Sequence, residues 1–498
     1  MEYPAQSVKG SRSMHPADPF RPLYHFTPAA NWINDPNGLV YAAGEYHLFY
    51  QYHPYSTVWG PMHWGHAVSP DLVTWRELPI ALYPDEHGAI FSGSAVIDRH
   101  NTAGFGDDAM VAVFTHHQEE SHRQSQSLAY SLDHGRTWTK YAGNPVLPAP
   151  ADLRDFRDPK VFWYGNAARG HWVMCLAAGR EIRFYTSPNL IDWTASGRFG
   201  AGYGGATGVW ETPDLFELPV DGMDATAWVL TVGMGDGAPA GGSGTQYFVG
   251  RFDGATFTSI LPAETVLWAD YGADFYAVQS WSNTPDGRRV VIGWMNNWVY
   301  ARQLPTDPWR GAMTVPRTMG LVATDAGPRL TQQPAVALAD VLGQSTHCVQ
   351  DVVVAAEVGF VDEVPAGQAW QLDIRLQAVA PASMDTEIRL HFGDADVVTL
   401  RYAAAGETLV LDRRQAGVVD FHDDFPGRHA APYAPADGAL ELQLLVDRAS
   451  LELFTGDGRL SMTECIFPRG PLHTLEIVSN DAPVTITQMR IVALAPRA

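Results

Sequence analysis

Short apolar runs bounded by turn residues dominate the chain. Residues 45–51, Glu-Tyr-His-Leu-Phe-Tyr-Gln, are aromatic and alternate in polarity. Residues 111–114, 171–174, 228–230 and 289–294 are apolar stretches flanked by Gly, Asp or Asn. Runs this short, with such boundaries, read as buried strands, and no long stretch carries the 3.6-residue period of an amphipathic helix. The pattern predicts an all-β protein.

Self-similarity adds an architecture. A polar turn followed by an aromatic residue recurs as Ser69-Pro70-Asp71-Leu72-Val73-Thr74-Trp75, Ser131-Leu132-Asp133-His134-Gly135-Arg136-Thr137-Trp138 and Ser187-Pro188-Asn189-Leu190-Ile191-Asp192-Trp193, with a weaker echo ending at Phe257. The aromatic positions 75, 138, 193 and 257 are 63, 55 and 64 residues apart, room for one four-stranded blade of a propeller with generous loops. In the same phase, Asp35, Ser92, Asp158, Glu211 and Asp274 each head a strand, at intervals of 57, 66, 53 and 63 residues. Five starts predict five blades, and the phase favours a propeller over one large sandwich or jelly roll. Innermost strands line the central channel, so equivalent positions on them converge in one funnel.

Beyond Pro328 the texture changes. Residues 329–350 read as a linker with a short helix. From 351 onward aromatics thin out and alternation becomes cleaner, as in residues 440–444 and 450–454. Strands recur at a spacing that predicts an antiparallel β-sandwich. The expected organisation is a flexible N-terminal segment or cloning remnant (1–18), a five-bladed β-propeller (19–328), the linker, and a C-terminal β-sandwich (351–498).

Composition narrows the function. Of 498 residues, 46% are hydrophobic and 18% charged, as in an ordered globular protein. The net charge of -22 repels phosphate backbones and anionic lipids, which argues against nucleic-acid and membrane partners. No apolar stretch is long enough for a transmembrane helix. The cysteines, Cys175, Cys348 and Cys465, are odd in number and widely spaced, so disulfides are not expected to hold the fold. His63 and His66 lack an acidic third ligand nearby and a helical context, which disfavours a metal site. The Gly-rich segment 233–244 has no βαβ context and reads as a loop. The N-terminus has no apolar signal-peptide core, so the protein is either cytoplasmic or secreted with its signal removed.

The candidate chemistry lies in three acids that head channel-lining strands beside prolines: Asp35 before Pro36, Asp158 before Pro159, and Glu211 two residues before Pro213. A residue preceding proline is expected to be extended. One Asp-Pro pair is an ordinary turn signal; three acids in phase with a blade repeat point to a shared site. Converging carboxylates suit glycoside chemistry, in which one attacks the anomeric carbon and a protonated one assists the leaving oxygen. Trp59, Trp64, Phe91, Tyr276, Trp294 and Trp298 fall near the blade starts, where aromatic faces can stack on sugar C–H faces. Asn34, Gln51 and Arg157 can bond hydroxyls.

These residues carry a resemblance. Asn31-Trp32-Ile33-Asn34-Asp35-Pro36-Asn37-Gly38, Arg157-Asp158-Pro159 and Trp210-Glu211-Thr212-Pro213-Asp214-Leu215-Phe216 resemble the three signatures of glycoside hydrolase family 32, the invertases, inulinases, levanases and related fructosyltransferases. Residues 59–66 and 91–94 match two further blocks. The resemblance implies a propeller followed by a sandwich, with Asp35 as nucleophile, Glu211 as general acid and then base, and Asp158 with Arg157 binding fructose hydroxyls and stabilising the transition state. It implies Asn34, Gln51, Trp59, Phe91, Ser92, Tyr276 and Trp294 around the terminal fructosyl unit, and no metal or cofactor. Two positions depart from the pattern: Ile33 replaces Met, and Thr212 replaces Cys beside the implied acid/base.

The expected activity is a retaining β-fructofuranosidase releasing or transferring terminal fructosyl units from sucrose, inulin or levan. The alternative is a fructosyltransferase on the same scaffold, making oligosaccharides or a difructose anhydride. The partition would depend on rim loops, for which residues 233–244 and 305–310 are candidates. A polymeric substrate favours a secreted enzyme over a cytoplasmic one.

Overall fold

The computed structural model describes residues 18–496, apart from 152, 167, 168, 206, 379 and 436. The N-terminal segment expected to be flexible lies outside the described residues, save Asp18. Its carboxylate accepts hydrogen bonds from Arg21 Nε at 2.7 Å and Trp309 Nε1 at 3.0 Å.

A five-bladed β-propeller is followed by a β-sandwich. The inner strands of the blades are Asn31–Ala42, Ala89–Asp98, Arg157–Asn166, Trp210–Asp221 and Tyr276–Ser280. Each of the first four blades is an antiparallel meander of strands consecutive in sequence. The fifth runs Tyr276–Ser280, Arg289–Met295, Arg317–Val322 and Arg329–Pro334. The ring closes where Trp309 and Arg310 pair in parallel with Asn31 and Trp32, and the Asn31 N–H donates to the Pro308 carbonyl at 2.7 Å.

The recurring polar turn joins the third and fourth strands of a blade. The Asp71 carboxylate caps the Thr74 N–H at 2.7 Å, Asp133 that of Thr137 at 2.9 Å, Asn189 that of Asp192 at 2.9 Å, and Asp253 that of Thr256 at 2.8 Å. Leu72, His134, Leu190 and Gly254 take positive φ within these turns. The side-chain oxygen replaces backbone bonds that so tight a reversal cannot make.

The segment 329–350 is not an irregular linker. Arg329–Pro334 is the outer strand of the fifth blade, Leu338–Leu342 is a helical turn, and Gly343–Val349 pairs with the sandwich strand Val484–Leu494. An outer blade strand buries only one face. Leu330 and Gln332 point inward, and the polar residues between them hide the strand from a hydrophobicity reading.

The sandwich packs a seven-stranded sheet on a six-stranded one. Strict alternation in Asp385–Phe392 and Asp396–Ala403 sends Ile388, Leu390, Val398 and Leu400 into a core shared with Leu442, Leu453, Ile477 and Ile491. Polar contacts lock the two domains. Arg317 of the fifth blade is fully buried and bonds Asp270 at 3.0 Å and Glu452 of the sandwich at 2.5 Å. His25 bridges Asp447 at 2.9 Å and Glu452 at 2.8 Å. Asp274 is in phase with the inner-strand acids but does not enter the funnel. It accepts from Arg413 at 2.6 Å, Tyr300 at 2.7 Å and the Cys465 N–H at 2.8 Å. A carboxylate this deeply buried needs a cation, and the sandwich supplies one.

Burial lowers the His25 pKa, but the hydrogen bonds to Asp447 and Glu452 outweigh it and lift the imidazole to about 9. A pKa raised on folding contributes stability fully below the unfolded value near 6.5 and loses it as pH rises through the folded value. Thermal stability is therefore expected to fall between pH 6.5 and 9 in the wild type. His25→Gln should cost on the order of 3 kcal/mol at pH 6 and flatten that decline, read as Tm against pH.

Candidate active site

All five inner strands carry a β-bulge at the same level. The register slips by one residue between Ile33 and Pro36, Ile90 and Gly93, Arg157 and Lys160, Glu211 and Asp214, and Tyr276 and Gln279. A bulge kinks the strand and re-aims the side chains around it. Here it turns Asp35, Ser92, Asp158, Glu211 and Tyr276 toward one another. Two of the residues before proline are consequently not extended: Asp158 has φ 64° and Thr212 φ 46°. Bulge geometry prevails over the pre-proline preference, and the Thr212 N–H donates to Asp158 Oδ2 at 2.9 Å.

Above the bulges opens a cavity of about 910 Å³. Asn34, Asp35, Gln51, Trp59, Phe91, Ser92, Arg157, Asp158 and Glu211 all line it. Tyr276 lies behind them and donates its hydroxyl to Glu211 Oε2. Trp294 does not reach the cavity. It is fully buried, with its ring 4.8 Å from that of Trp298, which takes the wall position instead. Lys160, one of three lysines in the chain, is buried between inner strands, and its ammonium bonds Asp214 at 3.0 Å and the Ser280 carbonyl at 2.8 Å. That crossing ties three inner strands together.

Each acid has its own setting. Asp35 Oδ2 accepts from Ser92 Oγ at 2.6 Å, and Oδ1 from Asn34 Nδ2 at 3.0 Å. Trp32 Nε1 fixes that amide by donating to Asn34 Oδ1 at 2.7 Å. Glu211 Oε1 accepts from Arg157 Nε at 3.2 Å and Nη2 at 2.9 Å. Arg157 is held in turn by Asp155 at 2.5 Å and Gln124 at 3.3 Å. Burial pushes Asp35 up to about 6, with the Glu211 charge adding to it and the Ser92 hydrogen bond opposing it. Burial pushes Asp158 up to about 8, opposed by Arg157 and reinforced by the charges of Asp35 and Glu211. Burial and mutual repulsion raise both aspartates, so the cluster loses its protons in separate steps.

Several wall residues were not anticipated: His117, Gln124, Asp155 and Arg302. His117 stacks on Phe91 with ring centroids 4.3 Å apart. His117 and Gln124 sit on the second and third strands of the second blade, where no repeat signal marks them. Of the two rim loops, residues 233–244 do reach the cavity through Gly235 and Asp236. The 305–310 segment instead closes the ring against Asn31 and Trp32, and Arg302 projects from the preceding 3-10 turn. Thr212, at the departure from the family pattern, buries a hydroxyl that has no hydrogen-bond partner.

Known proteins are similar to this chain over nearly all of its length. Residues 25–334 match the glycosyl hydrolases family 32 N-terminal domain, and residues 340–493 the family's C-terminal domain. A levanase of Bacillus subtilis (strain 168) is 47% identical over 494 residues, covering 98% of this chain and 72% of the relative. An extracellular exo-inulinase of Aspergillus ficuum is 40% identical, covering 93% and 92%. The crystal structure of exo-inulinase from Aspergillus awamori superposes with a TM-score of 0.89 at 37% identity, covering 97% of this chain and 100% of that one. A β-fructofuranosidase from Schwanniomyces occidentalis, complexed with fructosyl-erythritol, gives a TM-score of 0.87 at 31% identity, covering 97% and 99%. Fold, catalytic-domain match and sandwich match agree: the chain belongs to glycosyl hydrolase family 32.

Proposed function

We propose that this protein is a retaining, exo-acting β-fructofuranosidase that removes terminal fructosyl units from fructans and sucrose and acts outside the cell. The convergence of Asp35, Asp158 and Glu211 in one cavity carries the reading. Relatives named levanase, extracellular exo-inulinase and β-fructofuranosidase support hydrolysis over transfer. Relatives named exo-inulinase support exo action. Polymeric fructans do not cross membranes, which supports an extracellular site of action.

In the proposed mechanism, Asp35 attacks the anomeric carbon and forms an ester while the glycosidic C–O bond breaks. Glu211 gives its proton to the departing oxygen. Water then attacks the same carbon, Glu211 takes the water's proton, and the ester to Asp35 breaks to release fructose. Ser92 and Asn34 hold the Asp35 carboxylate in position for attack. The Tyr276 hydroxyl can donate to a carboxylate and accept from a carboxylic acid, so it can hold Glu211 in both halves of the cycle. Arg157 can only donate, which matches the second half, when Glu211 acts as base. Asp158 is assigned to the fructose hydroxyls, and Trp59, Phe91 and Gln51 to the sides of the sugar.

Product analysis over time on sucrose, inulin and levan tests the activity. Free fructose should rise linearly from the start; oligosaccharides or a difructose anhydride appearing ahead of it would contradict the proposal. Asp35→Ala and Glu211→Ala should each lower kcat by about 10³-fold or more while leaving Tm near the wild-type value. Near-wild-type turnover by either variant would refute the assignment.

The pH profile tests the setting of Asp35. The nucleophile must be ionised, so kcat/KM should climb with pH through a limb near 6, the free-enzyme value of Asp35. Ser92→Ala removes the largest influence holding that value down, so the limb should move to higher pH. A limb that stays in place would show that another group sets it.

A further inference from the structure

Exposed apolar side chains stand on the loops that build one side of the cavity wall. Tyr55, Val58, Trp59 and Tyr83 are 59%, 44%, 37% and 47% exposed. They lie on two adjoining loops of the first blade, and both loops also build the cavity wall, through Trp59 and Pro61 on one and Pro84 and Asp85 on the other. Exposed apolar surface continuous with a binding cavity is a recurrent mark of a ligand contact.

The rings form two groups. Phe91 in the cavity meets Trp59 edge-on at 6.1 Å. His63 stands edge-on between two rings of the same two loops, Tyr55 at 5.8 Å and Tyr83 at 5.5 Å. His63 is buried and is anchored by its Nδ1 to the Pro61 carbonyl at 3.1 Å. The two exposed phenols therefore flank a fixed ring and need little ordering on binding. Burial drives the His63 pKa down to about 4, so the centre of this surface is uncharged at neutral pH. A rigid, neutral aromatic surface on a chain of net charge -22 suits a neutral polyhydroxylated ligand and disfavours an anionic one.

We infer that Tyr55 and Tyr83 form a platform outside the funnel that binds the trailing sugar units of a fructose polymer whose end is held at Asp35. The phenol faces take C–H groups of the sugars, and the phenol hydroxyls bond sugar hydroxyls. The inference rests on the fructan reading above and adds a polymer contact that sucrose is too short to use.

Two measurements on the full-length chain test it. In the active protein, Tyr55→Ala/Tyr83→Ala should raise KM for levan or inulin about tenfold, with kcat and the sucrose kinetics unchanged within about twofold, and Tyr55→Phe/Tyr83→Phe should restore most of the loss. In the Asp35→Ala background, migration through a gel containing levan or inulin should be retarded, and the double alanine change should release it. Equal KM changes for polymer and sucrose, or none for either, would overturn the platform. So would a wild-type dimer that the alanine changes convert to a monomer, which would make this a self-association surface. If the wild type cleaves sucrose and neither polymer, the fructan reading fails. Gel retardation that persists without the two phenols, or that is absent with them, would then reject the platform on its own evidence.

Discussion

Carboxylates that share a dry pocket repel one another, and everything around this funnel is arranged to hold them there regardless. At an effective dielectric near 20, two unit charges 4 Å apart repel by about 4 kcal/mol. Asp35, Asp158 and Glu211 meet that cost in three ways. Donors occupy their oxygens: Ser92 and Asn34 on Asp35, the Thr212 N–H on Asp158, Arg157 and Tyr276 on Glu211. Arg157 supplies a positive charge to the cluster. Burial and mutual repulsion raise both aspartates, so the cluster does not ionise all at once. Like groups in unlike settings are how a single site comes to contain both a charged and a protonated acid.

Bulges make the convergence possible. A regular strand sends alternate side chains to opposite faces, so neighbours such as Arg157 and Asp158 could not both address one cavity. The extra residue in each inner strand breaks that alternation at the level of the acids. Repeating the device five times gives a ring of redirected side chains at one height, with Lys160 tying three of the inner strands together.

The second domain is joined through buried charge as well as apolar surface. Arg317, Arg413 and His25 each bring a cation to acids at the seam between propeller and sandwich. Such pairs recover little more than their desolvation cost, but they tolerate one geometry only and so fix the orientation of the two domains. Asp274 shows how this touches the site. It stands two residues before Tyr276, and its three partners include Arg413 of the sandwich. The strand that carries Tyr276 to Glu211 is thus anchored from the other domain.

Local features were legible along the chain. The apolar runs, the recurring Asp or Asn turns and the phase of Asp35, Ser92, Asp158 and Glu211 reflect interactions within a blade, which act over a few tens of residues and leave a periodic trace. Nearly all the residues singled out for the site do line one cavity. The exceptions have tertiary causes. Asp274 keeps the phase but faces the sandwich, because a buried carboxylate follows its cation and Arg413 lies 139 positions away. Trp294 is displaced from the wall by Trp298, a matter of which indole packs outermost. Gln124 and His117 reach the cavity from neighbouring strands that no motif marks. The left-handed backbone at Asp158 and Thr212 reverses the local rule for residues before proline. Sequence alone thus determined the blades, their order and the acids at their heads, since these depend on local periodicity. Only the tertiary structure decided where each side chain points, because that depends on bulge register and on charges brought together from distant parts of the chain.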